Sequence, residues 1–306
     1  MRVRYRFLVV FGIILILATG CSRAVQEEQS PHQLVVGMMS AVDAAPFYHA
    51  LHTGLFEEAG VDVELVMFTN GQHRQTALQT GQVDGAMTDL VALITQSTGD
   101  FALRGTLSTD GLFPLLSTEA VPDSGTVSAG TMEISVTNYL LDQYFTSEHQ
   151  LRKVFIQEIP ARLEAVASGQ LDVGIFPEPF ASIGVMRDLV RTQFTDVPKE
   201  SLNIVAFTES SISQNTEAIT RFHRAYAKAV AALQQDPESA KDALIDSIPN
   251  LPQGARETME LPIYHDPRLP SDSFTQEIIT WTEQVTGRAY PITPDDLYDP
   301  RFVRGL

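Results

Sequence analysis

"ALQTGQVDGAMTD", residues 77–89, reads as the end of a helix, a glycine stop, a short apolar strand and an exposed polar tip. The stretch "AVASGQLDVGIFPEP", residues 165–179, repeats this plan, with Gly-Gln-Leu-Asp in the place of Gly-Gln-Val-Asp. Glycine is common just past the end of a helix, because it adopts the left-handed conformation without strain. A helix–turn–strand unit that occurs twice predicts two similar α/β lobes, each with its own acidic strand-end loop.

Strands and helices alternate around each copy of this unit. In the first half, the apolar run "QLVVGMM", the alternating run "VDVELVMFT" and "VDGAMTD" are predicted strands with helices between them. This βαβαβ order favours a parallel sheet. In the second half, "TVSAG", "VFIQEI" and "LDVGIF" are the predicted strands, and "LNIVAFT" is the predicted strand that returns the chain to the first lobe.

These elements predict an α/β protein in which the chain passes between two lobes twice. We expect the first part of lobe 1 over residues 34–110, lobe 2 over 111–207, and a helical completion of lobe 1 over 208–306. The two crossings are expected near Ser108–Leu112 and near Ala206–Glu209. Open α/β sheets bind ligands at the carboxyl ends of their strands. Two facing sets of strand-end loops therefore predict a ligand cleft between the lobes.

The N-terminus has the features of an export signal. Three arginines lie within the first six residues, and the apolar run at 7–18 is shorter than the roughly 20 residues that a spanning helix needs. "LATGC" is similar to a bacterial lipobox, although Leu17 stands one residue earlier than usual. We therefore predict a signal peptide over 1–20, a lipidated Cys21 and a polar tether over 21–33. An uncleaved membrane anchor is the alternative.

Composition and charge exclude several classes of function. The 306 residues are 44% apolar and 19% charged, as in globular proteins. A net charge of −17 argues against nucleic acids and anionic membrane surfaces as partners. Cys21 is the only cysteine, so disulfides, a thiol nucleophile and cysteine-ligated zinc are excluded. The seven histidines are scattered, and we expect no catalytic residues, no bound metal and no cofactor.

Three longer stretches resemble a known family. They are "VGMMSAVDAAPFYHALHTGLFEEAGVDVELVMFTNGQHRQTALQTGQVDGAMTDL", "IPARLEAVASGQLDVGIFPEP" and "NTEAITRFHRAYAKAVAALQQDPE". They resemble the solute-binding proteins of ABC importers, in the group that serves sulfonates, nitrate, taurine and the thiamine pyrimidine precursor. The resemblance implies the type II periplasmic-binding-protein fold, with two α/β lobes, two crossover strands and a ligand cleft. It also implies hinge closure, docking on a membrane permease, and a monomer on the periplasmic or extracellular face of a bacterial membrane.

Polar and aromatic side chains at the predicted strand ends and crossings are the candidate ligand-binding residues. They are Asp43, Phe47, Tyr48, Thr69, Asn70, Thr88, Asp89, Asp110, Thr131, Glu133 and Glu178. Glu178 is the strongest candidate, because a carboxylate between two prolines at a strand end is hard to explain as surface solvation. Asp43 and Asp89 have an alternative role as helix caps, and Tyr48 as a packing residue.

The charges of these strand-end residues indicate which class of ligand to expect. Five of the candidates are carboxylates, none is Lys or Arg, and Arg74 and Arg162 lie on the helices that follow. Clustered carboxylates repel one another unless a cation or a donor-rich ligand joins them. This favours an amine or a nitrogen heterocycle such as a thiamine pyrimidine precursor, stacked on Phe47 or Tyr48. A sulfonate, taurine or nitrate is the alternative ligand, because helix N-termini and hydroxyl groups bind anions.

Two other functions remain open at this point. The pyrimidine synthases of thiamine biosynthesis share the expected fold and use pyridoxal phosphate, but they carry a cysteine-rich motif that this chain lacks. A ligand-sensing lipoprotein that is not linked to transport would use the same two-lobed architecture. Nothing in the sequence separates that sensor from a transport protein.

Overall fold

The computed structural model describes residues 32–97, 101–145, 147–194 and 200–306. The predicted signal peptide, Cys21 and most of the predicted tether lie outside these described residues. Among the described helices, none combines the length and the hydrophobicity that a membrane span requires.

The first sheet has five strands in the order β2-β1-β3-β10-β4. Strands β1, β2 and β3 pair in parallel, and β10 runs antiparallel between β3 and β4. The predicted βαβαβ unit is therefore present. The strands are β1 (His32–Met39), β2 (Val61–Phe68), β3 (Gly85–Asp89), β4 (Leu103–Thr109) and β10 (Asn203–Thr208).

The second sheet repeats this plan in the order β7-β6-β8-β5-β9. Strands β6, β7 and β8 pair in parallel, as β1, β2 and β3 do, and β5 runs antiparallel between β8 and β9. The strands are β5 (Leu115–Ser117), β6 (Gly125–Thr131), β7 (His149–Phe155), β8 (Val173–Ile175) and β9 (Val190–Thr192). The two-lobed α/β architecture predicted from the repeated unit is thus confirmed.

Helices cover both sheets. They are α1 (Ala45–His52), α2 (Leu55–Glu58), α3 (Gly71–Gln79), α4 (Leu90–Gln96), α5 (Val136–Tyr144), α6 (Ile159–Ala167), α7 (Phe180–Val185), α8 (Glu209–Gln235), α9 (Glu238–Ser247), α10 (Ala255–Thr258), α11 (Asp272–Thr286) and α12 (Pro294–Leu297). The long helix α8 buries an apolar stripe against β1 and α1 in the core of lobe 1. Its sequence period of three to four residues predicts this packing.

The repeated Gly-Gln-X-Asp segment has the same structural role in both lobes. Gly81 and Gly169 end α3 and α6 with φ of 70° and 71°, in the left-handed region that favours glycine. Three residues later, Asp84 Oδ2 accepts the backbone N–H of Val35 at 2.9 Å. Asp172 Oδ2 accepts the backbone N–H of Ser128 at 2.7 Å. Each aspartate therefore fastens the start of its strand to the neighbouring strand.

The first crossing agrees with the expected position and the second does not. The chain leaves the first sheet after Thr109 and enters the second at Leu115. However, β10 lies entirely in the first sheet, so the return crossing precedes Asn203. The expected crossing at Ala206–Glu209 and the expected end of lobe 2 at 207 are therefore too late. The run "LNIVAFT" is apolar because β10 is buried between two strands, and such a run does not reveal which sheet it joins.

Other local differences have simple causes. The helix predicted after Pro46 is split at Gly54, which has φ of 74°. Strand β7 begins at His149, five residues before the predicted "VFIQEI" strand, because pairing with β6 extends through its polar half. The short elements α7 and β9 have no clear period in the sequence.

Candidate ligand-binding cleft

A cavity lies between the two lobes, at the carboxyl ends of their parallel strands. Its volume is about 90 Å³, below the roughly 300–1,000 Å³ of pockets for drug-sized ligands, so only a small solute fits this arrangement of the lobes. Lobe 1 contributes the ends of β1 and β3 and the start of α3, and lobe 2 contributes the segments after β6, β7 and β8. The polar lining includes Ser40, Asn70, Arg74, Thr88, Asp89, Ser135, Thr137, Gln157, Arg162 and Asn203, and the apolar lining includes Met39, Met87, Phe113, Met132, Val136 and Ile159.

Arg74 reaches the cavity from the first turns of α3. Its side chain is buried, with 5% of the residue exposed, and Nη2 donates to Thr88 Oγ1 at 2.9 Å. Within the described part of the chain, its Nε has no hydrogen-bond partner. Burial lowers the pKa of Arg74, and the nearby carboxylate of Asp89 acts in the opposite direction. Thr88 therefore helps to position a buried cation at the cavity wall.

Arg162 reaches the cavity from the opposite lobe. It is fully buried, and Nη1 donates to the backbone carbonyl oxygen of Ile156 at 2.7 Å. Its guanidinium carbon lies 5.4 Å from the ring centroid of Phe176. Its Nε also lacks a partner among the residues that the structure describes. Burial lowers the pKa of Arg162 to about 10, so the guanidinium remains protonated at neutral pH.

The two arginines occupy equivalent positions of the repeated unit. Each is the fourth residue of a nine-residue helix, α3 or α6, and they are 88 residues apart. The residues that precede these helices, Asn70 and Glu158, have the same separation and contact each other across the cleft. Asn70 Nδ2 donates to Glu158 Oε1 at 2.8 Å. The first turns of α3 and α6 therefore face one another from opposite lobes.

A second hydrogen bond also joins the two lobes. The backbone N–H of Val42, in the segment after β1, donates to the backbone carbonyl oxygen of Glu178 at 2.9 Å. With the bond between Asn70 and Glu158, this contact defines an arrangement in which the cleft is closed.

Three of the sequence-predicted residues line the cavity: Asn70, Thr88 and Asp89. Asn70 and Asp89 also cap helices, since Asn70 Oδ1 accepts the N–H of His73 at 2.8 Å and Asp89 Oδ1 accepts that of Ala92 at 2.9 Å. Burial raises the pKa of Asp89, and the neighbouring Arg74 opposes this effect. The capping alternative for Asp89 is therefore confirmed together with its place at the cavity.

Glu178, the strongest candidate from the sequence, is turned into lobe 2. It is fully buried, and Oε1 lies 2.9 Å from Arg191 Nη2. Oε2 accepts hydrogen bonds from Ser182, at 3.1 Å from the backbone nitrogen and 2.7 Å from Oγ. Burial raises its pKa, while Ser182 and Arg191 oppose this shift. Glu178 therefore has partners within lobe 2 and is not among the residues that line the cavity, so its assignment to the ligand stays a prediction.

The predicted aromatic platform is part of the core of lobe 1. Phe47 is fully buried, and its ring centroid lies 5.3 Å from that of Phe222 and 4.7 Å from that of Tyr226. Tyr48 is 4% exposed, and its hydroxyl lies 3.8 Å from Met67 Sδ. Neither ring is among the residues that line the cavity, because helical spacing directs both rings toward α8 or β2.

Asp43 and Asp110 form hydrogen bonds with or within the segments in which the chain crosses between the lobes. Asp43 Oδ2 accepts hydrogen bonds from Thr109 Oγ1 at 2.7 Å and from Asn203 Nδ2 at 2.8 Å. Asp110 accepts the backbone N–H of His265 at 2.8 Å and also pairs with the guanidinium of Arg268. Neither aspartate is among the described residues of the cavity wall. Their observed contacts connect the crossing segments to lobe 1.

The remaining three candidates also lie away from the described cavity lining. Thr69 and Glu133 are exposed at the loops after β2 and β6. Thr131 is buried, and its Oγ1 lies 3.0 Å from Thr137 Oγ1. The expectation that ligands bind at the carboxyl ends of strands (the strand-end rule) led to loops beside the cavity. It does not give the direction in which each side chain points.

Several cavity residues were not candidates. Ser40 and Gln157 follow β1 and β7, so the strand-end rule alone would have nominated them. The three methionines Met39, Met87 and Met132 had no sequence signal beyond their place near strand ends. Among the described residues, no group of three His, Cys, Asp or Glu side chains is arranged to hold a metal ion.

Comparisons with known proteins agree with this architecture. Residues 27–112 match the family model described as the NMT1-like family. No curated protein has a sequence that matches the chain significantly. Residues 27–112 include the Asp-Ala-Ala-Pro-Phe-Tyr loop and the first Gly-Gln-X-Asp segment, on which the resemblance was based.

Solved structures of import components are similar along most of both chains. A ligand-binding component of an ABC-type import system from Staphylococcus aureus, with zinc bound, is 15% identical and covers 90% of this chain and 98% of its own, with a TM-score of 0.75. The alkanesulfonate-binding protein SsuA from Xanthomonas axonopodis pv. citri, bound to MOPS, is 15% identical, with coverages of 88% and 99% and a TM-score of 0.66. The periplasmic nitrate-binding protein NrtA from Synechocystis PCC 6803 is 14% identical, with coverages of 86% and 83% and a TM-score of 0.67. The chain has the periplasmic-binding-protein fold.

Proposed function

We propose that this protein is the extracytoplasmic solute-binding component of an ABC importer, which captures a small polar nutrient by hinge closure. The observation that carries the proposal is the cavity between the lobes, lined by the strand ends of both sheets. A solute in that cavity contacts both lobes only when the cleft is closed. It therefore binds the closed form more tightly and shifts the population toward it.

The proposed partners and location follow from the same role. The closed form docks on a membrane permease, and Cys21 carries a lipid that holds the monomer at the periplasmic or extracellular face of the membrane. The similar solved structures are import or binding components, which supports this proposal over an enzyme. A ligand-sensing lipoprotein with the same closure is the second candidate, since closure itself does not specify the docking partner.

The expected nature of the solute changes with the geometry of the site. The preference for an amine or a nitrogen heterocycle depended on five tip carboxylates and an aromatic platform. Of those carboxylates, Asp89 alone lines the described part of the cavity, and the platform is in the core. The support for a thiamine pyrimidine precursor is therefore weaker, and the alternative of a sulfonate, taurine or nitrate becomes stronger.

Small-angle scattering of residues 22–306, the predicted mature chain without its lipidated Cys21, tests the proposed function. We expect the radius of gyration to decrease when a solute binds, because a hinge closure brings the lobes together. The candidate solutes are methanesulfonate, taurine, nitrate, an aminopyrimidine and putrescine, with binding measured in parallel by calorimetry. A solute that binds tightly and leaves the scattering curve unchanged would contradict closure around the ligand.

A further inference from the structure

We propose that the cleft holds one anionic group of its solute between Arg74 and Arg162, one guanidinium from each lobe. This inference rests on the proposed solute-binding function and specifies the chemical class of the solute. The class is a small molecule with an oxyanion group, such as a carboxylate, a sulfonate or a phosphate, attached to a small apolar body.

The first support is the burial of two cations that form no ion pair. The carboxylate of Asp89 is near enough to Arg74 to oppose the effect of burial on its pKa, but it does not pair with the guanidinium. Arg74 is 5% exposed and Arg162 is 0% exposed, and both line the cavity. Across the described ranges, no ion pair within 4 Å joins either guanidinium to an acidic side chain. Removing a charge from water without a partner is energetically unfavourable. An anion in the cavity would supply the missing partner for both side chains.

The second support is the pattern of hydrogen-bond donors. The partners of the two guanidinium groups are neutral oxygens, the hydroxyl of Thr88 and the carbonyl of Ile156. Both Nε donors lack a partner in the described structure and belong to side chains at the cavity wall. The planar guanidinium group presents its donors in a geometry that matches an oxyanion.

The third support comes from the helices that carry the arginines. Helices α3 and α6 each have nine residues, and their first turns face each other across the cleft, as the contact between Asn70 and Glu158 shows. A helix N-terminus carries a partial positive charge that favours a nearby anion. Two such termini and two guanidinium groups therefore converge on one region of the cavity.

This arrangement makes closure depend on the charge of the solute. When the lobes close without an anion, Arg74 and Arg162 approach each other in a low-dielectric cavity, and like charges repel there. An anion between them converts this repulsion into two attractions. A cationic solute leaves the repulsion in place and adds to it, so anions are selected at the closing step.

The rest of the cavity wall favours an apolar body on the anion. Met39, Met87 and Met132 come from three different strand ends and line the cavity with Phe113. Methionine side chains are flexible and polarizable, so they adapt to apolar groups of different shape. An anion attached to a short alkyl or ring group fits this wall better than a fully polar ion.

Matched probes with and without a charge test the proposal on the unmodified mature chain. Methanesulfonate and dimethyl sulfone have the same shape, and so do acetate and acetamide. We expect each anion to bind at least about tenfold more tightly than its neutral partner, in line with the strength of charge-assisted hydrogen bonds. Equal binding of the two members of each pair, or no binding of any anion at millimolar concentration, would overturn the proposal.

Variants of the two arginines test the assigned site. We expect Arg74→Gln and Arg162→Gln each to weaken methanesulfonate binding by about tenfold or more, and Arg→Lys at either position to retain part of it. Arg187→Gln is the matched control, because Arg187 is an exposed arginine of lobe 2 that pairs with Glu164 outside the cavity. If a Gln variant does not fold, the Lys variant and the matched probes decide. Unchanged binding in folded variants at both positions would contradict the site.

The outcome also distinguishes this inference from the proposed function. If putrescine or an aminopyrimidine binds, reduces the radius of gyration and binds more tightly to Arg162→Gln, the solute-binding function holds and the anion site is wrong. If a labelled solute binds without any change in scattering, the closure mechanism is wrong as well.

Discussion

At the scale of single residues, the direction of a side chain decides whether an acidic residue at a strand end binds a ligand or stabilises the fold. Glu178 and Asp89 follow equivalent strands, β8 and β3. Asp89 faces the cavity, whereas Glu178 faces Arg191 inside lobe 2. The difference depends on partners that are distant in the sequence from the strand end.

Glu178→Gln is expected to lower stability and to leave solute affinity unchanged. The substitution removes the charge that pairs with Arg191, which is only 10% exposed, and breaking a buried pair costs about 3 kcal/mol. Denaturant unfolding measures the change in free energy, and calorimetry measures the affinity. Glu133→Gln is the control, since Glu133 is exposed. A loss of affinity in folded Glu178→Gln protein would restore its assignment to the ligand.

A buried histidine gives the protein a defined dependence on pH. His223 is fully buried, with Nε2 3.0 Å from Thr106 Oγ1 and Nδ1 2.7 Å from the carbonyl oxygen of Ile219. Burial lowers its pKa to about 4, from 6.5 for an ordinary histidine. The unfolded chain therefore binds a proton between these two values and the folded chain does not.

From this pKa shift we expect stability to be fully present above pH 6.5 and to decrease as the pH falls toward 4. The loss that His223 contributes is about 3 kcal/mol, since one pKa unit corresponds to about 1.4 kcal/mol. Urea unfolding at several pH values, compared between wild type and His223→Gln, isolates this contribution from those of the carboxyl groups. If the free energy of unfolding changes with pH by the same slope in both proteins between pH 6.5 and 5, His223 does not cause the loss of stability.

At the scale of elements, the two helix–turn–strand units combine a structural end and a ligand-facing end. Their C-terminal ends, with Gly81 and Asp84 or Gly169 and Asp172, connect each helix to its strand. Their N-terminal ends, in the first turns of α3 and α6, carry the arginines and form a contact across the cleft. The repetition of the unit therefore places equivalent side chains on opposite walls of one cavity.

The contact between Asn70 and Glu158 is expected to stabilise the closed form. Glu158→Ala removes the carboxylate that accepts the hydrogen bond from Asn70. It should shift the ligand-free protein toward the open form, because a net hydrogen bond contributes about 1 kcal/mol. We expect a larger radius of gyration and a solute affinity that is several-fold weaker. Glu164→Ala, an exposed change on the same helix that affects only a surface pair with Arg187, is the control. Identical scattering of the two variants would contradict this role.

At the scale of the whole molecule, the two lobes are related in architecture but differ in the helices that complete their cores. Lobe 1 receives the C-terminal helices, and the long helix α8 completes its core. The crossing segments meet at Asp43, whose carboxylate accepts hydrogen bonds from the end of β4 and the start of β10. The crossing segments, about which the lobes would close, are therefore attached to lobe 1.

Thr109→Val is expected to destabilise this attachment. The change preserves the shape of the side chain but removes a donor to Asp43, whose Oδ1 already lacks a partner in the described structure. A buried carboxylate with one donor fewer costs about 1–3 kcal/mol, which denaturant unfolding would detect. Thr126→Val, at an exposed threonine of β6, should be neutral. If both variants unfold alike, the crossing does not depend on this hydrogen bond.

The sequence predicted much of the fold and less of the site. Strand β1 and the Gly-Gln-X-Asp segments were identified correctly, because apolar runs, helical period and glycine stops are local signals. The return crossing was misplaced, since β10 is apolar in either sheet. Of the residues predicted at strand ends, Asn70, Thr88 and Asp89 line the cavity. Glu178 does not, because it pairs with Arg191, which lies beyond the next helix.

The sequence by itself determined the two-lobed α/β plan, because each unit is specified by residues within one helix and one strand. It also determined the acidity of the chain. Only the tertiary structure decided the sign of charge at the cavity, since Arg74 and Arg162 meet there through the folding of two segments that are 88 residues apart. Local sequence patterns indicate which face of a helix or strand is apolar. The groups that surround a buried charge, however, come from the packing of elements that are distant in the sequence.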